Sequence, residues 1–293
     1  MTLATIAIPT YNRASTLGRA ADSALAQDYP SIELIISDHS SNDGTQALCQ
    51  DLVRRDPRVR YLRQSRDVGP MANFGAALAE ASGEYFMWLA DDDWLDENYV
   101  TECIKALADG AVLGAGRSRW FDADREVSVE APTNLSHGNG ATRVRTFYRT
   151  VTKVSVFYGL SRTSTIRSRG PILECTGGDW LFVASLAFLG RVETLETTSI
   201  HRALGGVSDL IVDAQWTIPR SAARHILQSS GYDGLGRVRR TLLAVECAVL
   251  VGWRVGIWFP VLGLLRRRLG ETRYERVREL YRRIGGGNRG STL

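Results

Sequence analysis

The first hundred residues alternate between short apolar runs and stretches with helical spacing, and this alternation constrains the fold more than any other feature. The apolar runs predict strands at residues 3–9, 32–37, 59–62 and 85–89. The stretches between them predict helices at 16–27, 44–55 and 69–81, with Asn42 or Asp43 as the cap of the second. Strands and helices that alternate at this spacing indicate parallel strands joined by right-handed crossovers. We therefore expect an α/β fold with a Rossmann-like, mostly parallel central sheet flanked by helices.

The pattern becomes less regular after residue 110. Residues 131–142 are rich in Pro, Asn, Gly and Ser and predict a loop, which beside an active site often acts as a mobile lid. The other predictions are a helix at 96–107, strands at 111–130 with a turn at 122–124, a strand at 157–161, a helix reaching Leu189, a strand pair at 193–203, and helices at 214–230 and from 236 onward. The chain thus divides into a first half at 1–110, a second half of the same domain at 111–213, and a C-terminal helical extension at 214–293.

Composition excludes several classes of protein. The chain has 293 residues, of which 44% are hydrophobic and 23% are charged, so it can bury a sizeable core and is neither fibrous nor disordered. Its four cysteines lie far apart and form no CxxC pair, which argues against a zinc site or a disulfide framework. The N-terminus enters an apolar strand without a basic leader. We expect a cytoplasmic protein without a signal peptide.

Positive charge is concentrated at the C-terminus. From Gly236 to the end there are 13 Arg against four Glu, although the net charge of the whole chain is only +4. Such a tail suggests an anionic partner, and a phospholipid surface is favoured because no basic patch interleaved with aromatic residues indicates nucleic acid. Residues 247–265 are apolar except for Arg254. This stretch predicts either a helix at the inner face of the cell membrane or a helix buried against the rest of the protein.

The fourth predicted strand runs directly into three carboxylates, Asp91, Asp92 and Asp93. In open α/β sheets, ligands bind at the carboxyl ends of strands. Crowded carboxylates repel one another, and a cation removes that cost. Hard oxygen ligands suit Mg²⁺ or Mn²⁺, which also bind phosphate oxygens. The alternative is an acidic helix N-terminus that the helix dipole favours.

Other polar segments should meet this acidic cluster. Residues 9–13 and 37–45 follow two more strands of the predicted sheet, and residues 177–180 precede a predicted helix. Because parallel strands end at the same edge of a sheet, the first two segments and the acidic cluster converge on one crevice. The chain contains no Gly-x-Gly-x-x-Gly and no Walker-type loop, which disfavours the usual dinucleotide and NTP sites.

In order and spacing, these motifs resemble those of family 2 glycosyltransferases, which have the GT-A fold. The motifs are Ile8-Pro-Thr-Tyr-Asn-Arg13, Asp38-x-Ser-x-x-Asp43-Gly-Thr45, Asp67-x-Gly69-x-x-x-Asn73-x-Gly75, Trp88-Leu-Ala-Asp-Asp-Asp-Trp94 and Gly177-Gly178-Asp179-Trp180. The resemblance covers about two-thirds of the chain. It implies a GT-A fold and an inverting transfer of one sugar from a nucleoside-diphosphate sugar, with UDP as the favoured nucleotide.

The resemblance also implies a donor pocket. Its residues would be Pro9, Thr10, Tyr11, Arg13, Asp38, Arg66, Asn73 and Asp91. Within that pocket Asp38 would accept a hydrogen bond from the base, Asp91 would reach the ribose, and Arg66 would approach the diphosphate. Many relatives carry a second Asp where this chain has His39, which leaves the identity of the base open.

A cation site and an acceptor site follow from the same resemblance. The family pattern favours Asp92 as the ligand of Mg²⁺ or Mn²⁺, with a shift of register to Asp93 left open and His201 as a further metal or phosphate ligand. Asp179 would be the general base, and Trp180 would stack on an acceptor sugar. Each of the last three has a structural alternative, namely a packed or surface position for His201, a helix N-cap for Asp179, and core packing for Trp180.

The Gln-x-x-Arg-Trp motif of processive synthases is absent, which argues for the transfer of a single sugar. The expected acceptor is a glycan or a lipid-linked molecule, and a homodimer is compatible with the sequence. Two other functions stay open. One is a polyprenyl-phosphate glycosyltransferase, whose lipid phosphate acceptor needs no general base. The other is a non-catalytic scaffold that binds nucleotide sugars at the membrane.

Overall fold

The computed structural model describes residues 2–67, 69–151, 153–172, 177–204, 222, 225–228, 232 and 234–254. Most of the helix predicted at 214–230 lies outside these residues, as does everything predicted beyond 254. The strands are β1 Ala4–Thr10, β2 Ile32–Asp38, β3 Val59–Arg63, β4 Tyr85–Trp88, β5 Trp94–Leu95, β6 Ala111–Asp122, β7 Arg125–Val129, β8 Ser161–Arg162 and β9 Arg191–Ala203. The helices are α1 Leu17–Leu25, α2 Thr45–Arg55, α3 Pro70–Ala79, α4 Tyr99–Ala108, α5 Gly140–Thr150, α6 Thr163–Arg167, α7 Gly178–Leu189 and α8 Arg237–Arg254.

In the described part of the chain, the central sheet has the strand order β3-β2-β1-β4-β8. The pairs β1–β2, β1–β4 and β2–β3 are parallel, and β8 joins the edge antiparallel to β4. Every residue of β1 and β2 is buried, as expected for parallel strands covered on both faces. The predicted α/β fold with a mostly parallel sheet and flanking helices is confirmed.

Side-chain alternation along the strands builds a core on each face of this sheet. Ile6 and Leu34 point to one face, where they pack with α1, α2 and α4. Ala7 and Ile35 point to the other face, where they pack with α3, α5, α7 and α8. Both cores take residues from both predicted halves of the chain, while the division at 1–110, 111–213 and 214–293 stays a prediction.

Trp88, at the end of β4, joins the sheet to the second half of the chain. Its ring is buried and lies parallel to Phe157, with ring centroids 5.2 Å apart. It also meets the edge of Phe182, on α7, at 5.5 Å, and its Nε1 donates to the Phe74 carbonyl. This packing fixes the end of β4, which leads into the acidic cluster, relative to α7.

Two strand predictions in the second half are wrong. Residues 157–161 do not form one strand, because Phe157 turns inward against Trp88 within a 3₁₀ turn at Ser155–Tyr158 that precedes the short β8. Residues 193–203 do not form a strand pair, because β9 is one continuous strand. It pairs with β6 in the second sheet, of order β5-β9-β6-β7 among the described strands, and its extra residues at 196–198 form a bulge.

The loop predicted at 131–142 is fastened to the second sheet, which does not fit a mobile lid. Leu135 exchanges backbone hydrogen bonds with Val192 of β9, at 2.8 and 3.2 Å. The loop ends in α5, a helix that the sequence did not predict, whose N-cap Asn139 accepts from the Thr142 N–H. On α5 the buried Arg143 donates to the carbonyls of His137 and of the last turn of α7. The two carbonyls of α7, those of Ala187 and Phe188, would otherwise be unpaired at the end of a helix.

The C-terminal helix α8 packs its buried Leu243, Ala244 and Cys247 in the core that contains α5. Glu246 forms an ion pair with Arg145 of α5. Residues 247–254 of the predicted apolar stretch belong to α8, and residues 255–265 lie outside the described part of the chain. None of the helices formed by the described residues is long and apolar enough to cross a membrane.

Candidate active site

The loops after β1 and β2 are held together by hydrogen bonds. Asn12 adopts a left-handed conformation (φ 54°), which Asn tolerates better than most residues, and its N–H donates to Ser41 Oγ at 2.9 Å. In return the Asn42 N–H donates to Asn12 Oδ1 at 2.8 Å, and the Arg13 N–H donates to Thr45 Oγ1 at 3.0 Å. The segment that carries Tyr11 and Arg13 is therefore fixed at the edge of the sheet.

Asp38 lies beneath these loops and is fully buried. One carboxylate oxygen accepts from the N–H and hydroxyl of Ser41, at 2.8 and 2.6 Å, and the other accepts from Tyr61 and Arg63, at 2.7 and 2.9 Å. Burial alone would raise the pKa of Asp38, but the hydrogen bonds from Ser41 and Tyr61 and the charge of Arg63 outweigh burial and lower it. With four internal donors Asp38 supports the loop, and its contact with a base stays a prediction.

Asn73 and the end of β1 also lie below the crevice. Asn73 is buried, donates to the Ser37 carbonyl at 2.7 Å and accepts from the Ser37 hydroxyl at 2.7 Å, which ties α3 to β2. Pro9 and Thr10 are buried residues of β1. These three residues are buried and support the ends of β1 and β2. Their predicted contacts with a nucleotide stay predictions.

The exposed Tyr11 and the buried His39 form a stacked aromatic platform beside the crevice. Tyr11 is 40% exposed and stacks on His39, with ring centroids 4.3 Å apart and planes 26° apart. His39 Nδ1 lies 2.8 Å from Asp67 Oδ1, which also accepts from the Gly69 N–H. Both hydrogen bonds lower the pKa of Asp67, so an ionised carboxylate holds the His39 ring in place. The predicted diphosphate ligand Arg66 is exposed on the same loop.

Asp91 follows β4 and faces the loop after β1. Its side chain is 13% exposed, and its Oδ1 lies 3.5 Å from Arg13 Nε. Burial raises the pKa of Asp91 to about 6 and the charge of Asp92 adds to the rise, while the Thr10 hydroxyl and Arg13 oppose it. The structure thus brings Arg13, Tyr11 and Asp91 together at one edge of the sheet, as predicted for a donor pocket.

Asp93 is almost fully buried, at 1% exposure. Its Oδ2 lies 2.5 Å from Arg202 Nε, and its Oδ1 accepts from the Ala203 N–H at 3.1 Å. Burial raises the pKa of Asp93, while the charge of Arg202 opposes the rise and favours the ionised form. Arg202 was not among the predicted site residues, and nothing in the sequence of β9, which also contains Arg191, singles it out; its burial is visible only in the structure.

Asp179 lies in the first turn of α7. Gly177 is the N-cap, in a left-handed conformation (φ 80°) that glycine adopts without strain, so Asp179 itself is not the cap. The Asp179 carboxylate accepts from the Trp180 N–H at 2.9 Å. Burial raises the pKa of Asp179, and this backbone bond and the charge of Arg202 oppose the rise. A carboxylate with a raised pKa is a stronger proton acceptor once it is ionised.

The two remaining predicted residues have partners that fit their structural alternatives. His201 Nε2 lies 2.7 Å from Asp96 Oδ1, and the His201 ring is stacked on Trp94 with planes 5° apart. Trp180 is half-buried and meets the edge of Phe147 at a centroid distance of 6.4 Å. A metal role for His201 and an acceptor role for Trp180 stay predictions.

The segment that contains Asp91, Asp92 and Asp93, called the acidic loop below, fits a divalent cation that is shared with a substrate. Asp91 and Asp92 are neighbouring carboxylates, and the raised pKa of Asp91 reflects a buried negative site that a cation would relieve. Within the described ranges, no group of three or more His, Cys, Asp or Glu side chains is placed to hold a metal. Mg²⁺ is usually held by one or two carboxylates together with substrate phosphates, so a complete protein cage is not required.

The raised pKa of Asp91 predicts a pH dependence of stability in metal-free protein. Below a pH of about 4 the carboxyl group is protonated in both the folded and the unfolded state. As pH rises through 6, the folded state must carry the buried charge, so stability that is present at low pH is lost. Asp91→Asn should therefore be more stable than wild type at pH 7.5, by up to about 3 kcal/mol at about 1.4 kcal/mol per pKa unit.

Urea unfolding in EDTA at pH 4, 5.5 and 7.5, followed by circular dichroism, measures this difference. The matched control is Asp124→Asn, because the Asp124 side chain is 94% exposed. The control should match wild type at every pH. A difference between Asp91→Asn and wild type that is the same at pH 4 and pH 7.5 contradicts the prediction.

Comparison with known proteins identifies the motifs of this site. The family model described as glycosyl transferase family 2 matches residues 5–167, which include the loops after β1, β2 and β4. A protein of Campylobacter jejuni named GalNAc(5)-diNAcBac-PP-undecaprenol beta-1,3-glucosyltransferase is 40% identical over 91 residues. That match covers 31% of this chain and 29% of the Campylobacter protein, so the chain spans less than a third of this relative.

Two solved structures share the fold. S. aureus TarS 1–349 in complex with UDP-GlcNAc has a TM-score of 0.62 at 17% identity, with 85% of this chain and 72% of that chain covered. The mannosyltransferase PcManGT from Pyrobaculum calidifontis, in complex with GDP-Man and Mn²⁺, has a TM-score of 0.55 at 16% identity, with 98% and 81% covered. These likenesses confirm the predicted GT-A fold.

Proposed function

This chain belongs to glycosyl transferase family 2, and on that premise we propose that it transfers one sugar from a nucleoside-diphosphate sugar to an acceptor hydroxyl, with inversion at the anomeric carbon. One observation carries the proposal. The buried Arg202 pairs with Asp93 of the acidic loop and lies over the ring of the half-buried Tyr158, and both side chains also act electrostatically on Asp179, at the start of α7. On this basis we place the edge that carries Tyr11, Arg13 and Asp91 and the carboxylate of Asp179 on the same cleft.

The donor lies across the ends of β1, β2 and β4. The base stacks on the platform of Tyr11 and His39, and Asp38 supports the adjoining loop through its hydrogen bonds to Ser41 and Tyr61. Asp91 reaches the ribose, and Arg13 and Arg66 supply positive charge beside the diphosphate. A uridine nucleotide is favoured because the TarS structure, which shares the fold, was solved with UDP-GlcNAc.

Asp92 would hold Mg²⁺ or Mn²⁺, with Asp91 beside it, and we leave Asp93 out of the ligand set because Arg202 and the Ala203 N–H occupy its oxygens. The bound cation would supply positive charge where the leaving diphosphate gains negative charge. Arg13 and Arg66 add to that charge from the protein itself.

Asp179 is the general base. As the acceptor oxygen forms its bond to the anomeric carbon, the bond from that carbon to the diphosphate oxygen breaks, and the acceptor proton passes to the Asp179 carboxylate. Burial favours this transfer because it raises the pKa of Asp179, while the charge of Arg202 opposes that rise and favours the ionised form. Attack from the side opposite the diphosphate inverts the anomeric carbon.

The acceptor is a glycan or a lipid-linked molecule, and a lipid-linked one is favoured. The name of the Campylobacter relative contains a PP-undecaprenol acceptor. On α8, Leu242 and Val245 are each 56% exposed, and Arg237 and Arg239 are exposed nearby. Apolar side chains beside arginines suit the inner face of an anionic membrane, to which the cytoplasmic protein would bind peripherally.

Thermal stability against a panel of nucleoside diphosphates, each with and without Mn²⁺, tests the donor site. A ligand at 100 times its Kd stabilises the native state by about 2.7 kcal/mol. For a chain of 293 residues, that raises the Tm by about 4 °C, because the entropy of unfolding is about 2.1 cal/mol/K per residue. We expect the largest shift with UDP and Mn²⁺ together. If no member of the panel shifts the Tm, the donor site and the proposed activity are wrong.

A further inference from the structure

Arg202 is a buried cation beside the acidic loop, and none of the motifs described above includes it. Its side chain is 10% exposed, and its Nε lies 2.5 Å from Asp93 Oδ2. Nη1 donates to Ser155 Oγ at 3.0 Å. Its guanidinium carbon lies 4.5 Å from the centroid of the Tyr158 ring and 4.9 Å from that of Trp120. These contacts come from the acidic loop, the 3₁₀ turn and β6.

The surroundings fix both the position and the charge of Arg202. Ser155, which accepts a hydrogen bond from Arg202, itself donates its hydroxyl to Glu130 Oε2 at 2.6 Å. The carboxylates of Asp93, Asp92 and Glu130 all favour the charged guanidinium, against the effect of burial. Arginine keeps its proton in proteins, so the cleft contains a permanent positive charge at a defined point.

A buried ion pair often adds little to the free energy of unfolding, because well-packed apolar residues of similar volume can stabilise the fold equally well. The charge of Arg202 therefore calls for a further explanation. Arg202 binds the third carboxylate of the acidic loop and is within electrostatic reach of Asp92 and Asp179. Without it, Asp93 would be buried with no paired charge, and the nearby Asp92 and Asp179 would lose the positive charge that acts on them.

We propose that Arg202 is a positioning residue for sugar transfer. By holding Asp93 it sets the acidic loop so that Asp91 and Asp92 face the donor, and its charge allows that loop and Asp179 to face one cleft. Arg202 itself does not touch the substrate. The inference rests on the proposed function, because it assigns Arg202 a part in that reaction.

A double-mutant cycle of Arg202→Met and Asp93→Asn tests this role. Since Arg202 acts through Asp93, we expect each single variant to lose about tenfold to a hundredfold in kcat, the range that a small misplacement in a site causes. The double variant should lose no more than the worse single variant. Arg202→Lys, which keeps the charge, should recover part of the lost kcat.

Stability is measured alongside, so that loss of folding is not mistaken for loss of position. Arg202→Met leaves Asp93 buried without its partner and should lower the Tm, whereas the double variant removes that buried charge and should regain most of the Tm. All kcat values are taken well below the Tm of each variant. The matched control is Arg117→Met, which removes an Arg of β6 that pairs with Glu196, and should keep wild-type kcat.

Calorimetry of UDP with Mn²⁺ gives a second readout, in which Arg202→Met should bind several-fold more weakly than the control. The Arg202 inference is overturned if folded Arg202→Met keeps wild-type kcat and UDP affinity, or if the two single losses multiply in the double variant. A wild-type protein that neither binds UDP nor transfers sugar overturns the proposed function and this inference together. An active wild type with an equally active Arg202→Met overturns the inference alone.

Discussion

Replacing Asp179 by Asn should reduce kcat by about 10²–10⁴-fold, the usual contribution of a general base, while the fold and nucleotide binding stay unchanged. Asn keeps the shape of the side chain and an oxygen that accepts from the Trp180 N–H, so α7 should begin as before. What is lost is the group that accepts the acceptor proton. Because burial raises the pKa of Asp179, the wild-type rate should also fall as pH falls through that raised value. The rate of Asp179→Asn should not show this decrease at low pH.

Three measurements separate the outcomes for Asp179→Asn. Transfer is followed with a UDP-sugar donor, UDP binding by calorimetry and folding by circular dichroism, with the exposed Asp124→Asn as the control. Loss of transfer with intact UDP binding supports the general base. A fully active Asp179→Asn enzyme points instead to an acceptor that needs no base, such as a polyprenyl phosphate. Nucleotide binding without turnover in the wild type supports the non-catalytic scaffold.

The first half of the fold was predictable because its signals are local. Every residue of β1 and β2 is buried, so the strands stand out as continuous apolar runs between helices with regular spacing. Phe157 shows where this reasoning fails. An apolar residue in an apolar stretch predicts a strand, but the partner that draws Phe157 into a 3₁₀ turn is Trp88, at the end of a distant strand.

The same distinction applies to the candidate site. Three adjacent carboxylates after a buried strand indicate a cation and phosphate site from the sequence alone. The sequence does not show the separate environments of the three carboxylates, because those environments depend on side chains from distant segments of the chain. Asp91 meets Arg13 from β1's loop, whereas Asp93 meets Arg202 from β9. One stretch of sequence therefore contains a residue that faces the donor edge and a residue that is bound inside the protein.

Asp38 gives a second example. The residue ends a strand at the crevice, as expected for a group that binds a base, but Tyr61 and Arg63 from the neighbouring strand take one of its oxygens. That pairing depends on the register of β2 with β3, which sets Asp38 opposite Arg63. The neighbouring His39 is then the buried polar residue on which the exposed Tyr11 stacks.

Asp92→Asn should abolish the Mn²⁺-dependent part of the stabilisation by UDP and lower the transfer rate by roughly 10²–10³-fold. A bound cation stabilises the charge of the transition state by several kcal/mol, and each 1.4 kcal/mol changes the rate about tenfold. Asp92 is the member of the triplet best placed to bind a cation, since Asp93 is bound to Arg202 and Asp91 faces Arg13. The variant keeps a side chain of the same size, so metal-free protein should fold as before.

The matched comparison is Asp96→Asn, which removes a carboxylate just beyond the acidic loop that pairs with His201. If Asp92 binds the cation, Asp92→Asn loses the difference between the Tm shifts with and without Mn²⁺, and Asp96→Asn keeps it. If both variants lose that difference, His201 and its partner belong to the cation site as the sequence suggested. If Asp92→Asn keeps the full Mn²⁺-dependent shift, Asp92 is not the ligand, and the cation has to be assigned to another carboxylate of the loop.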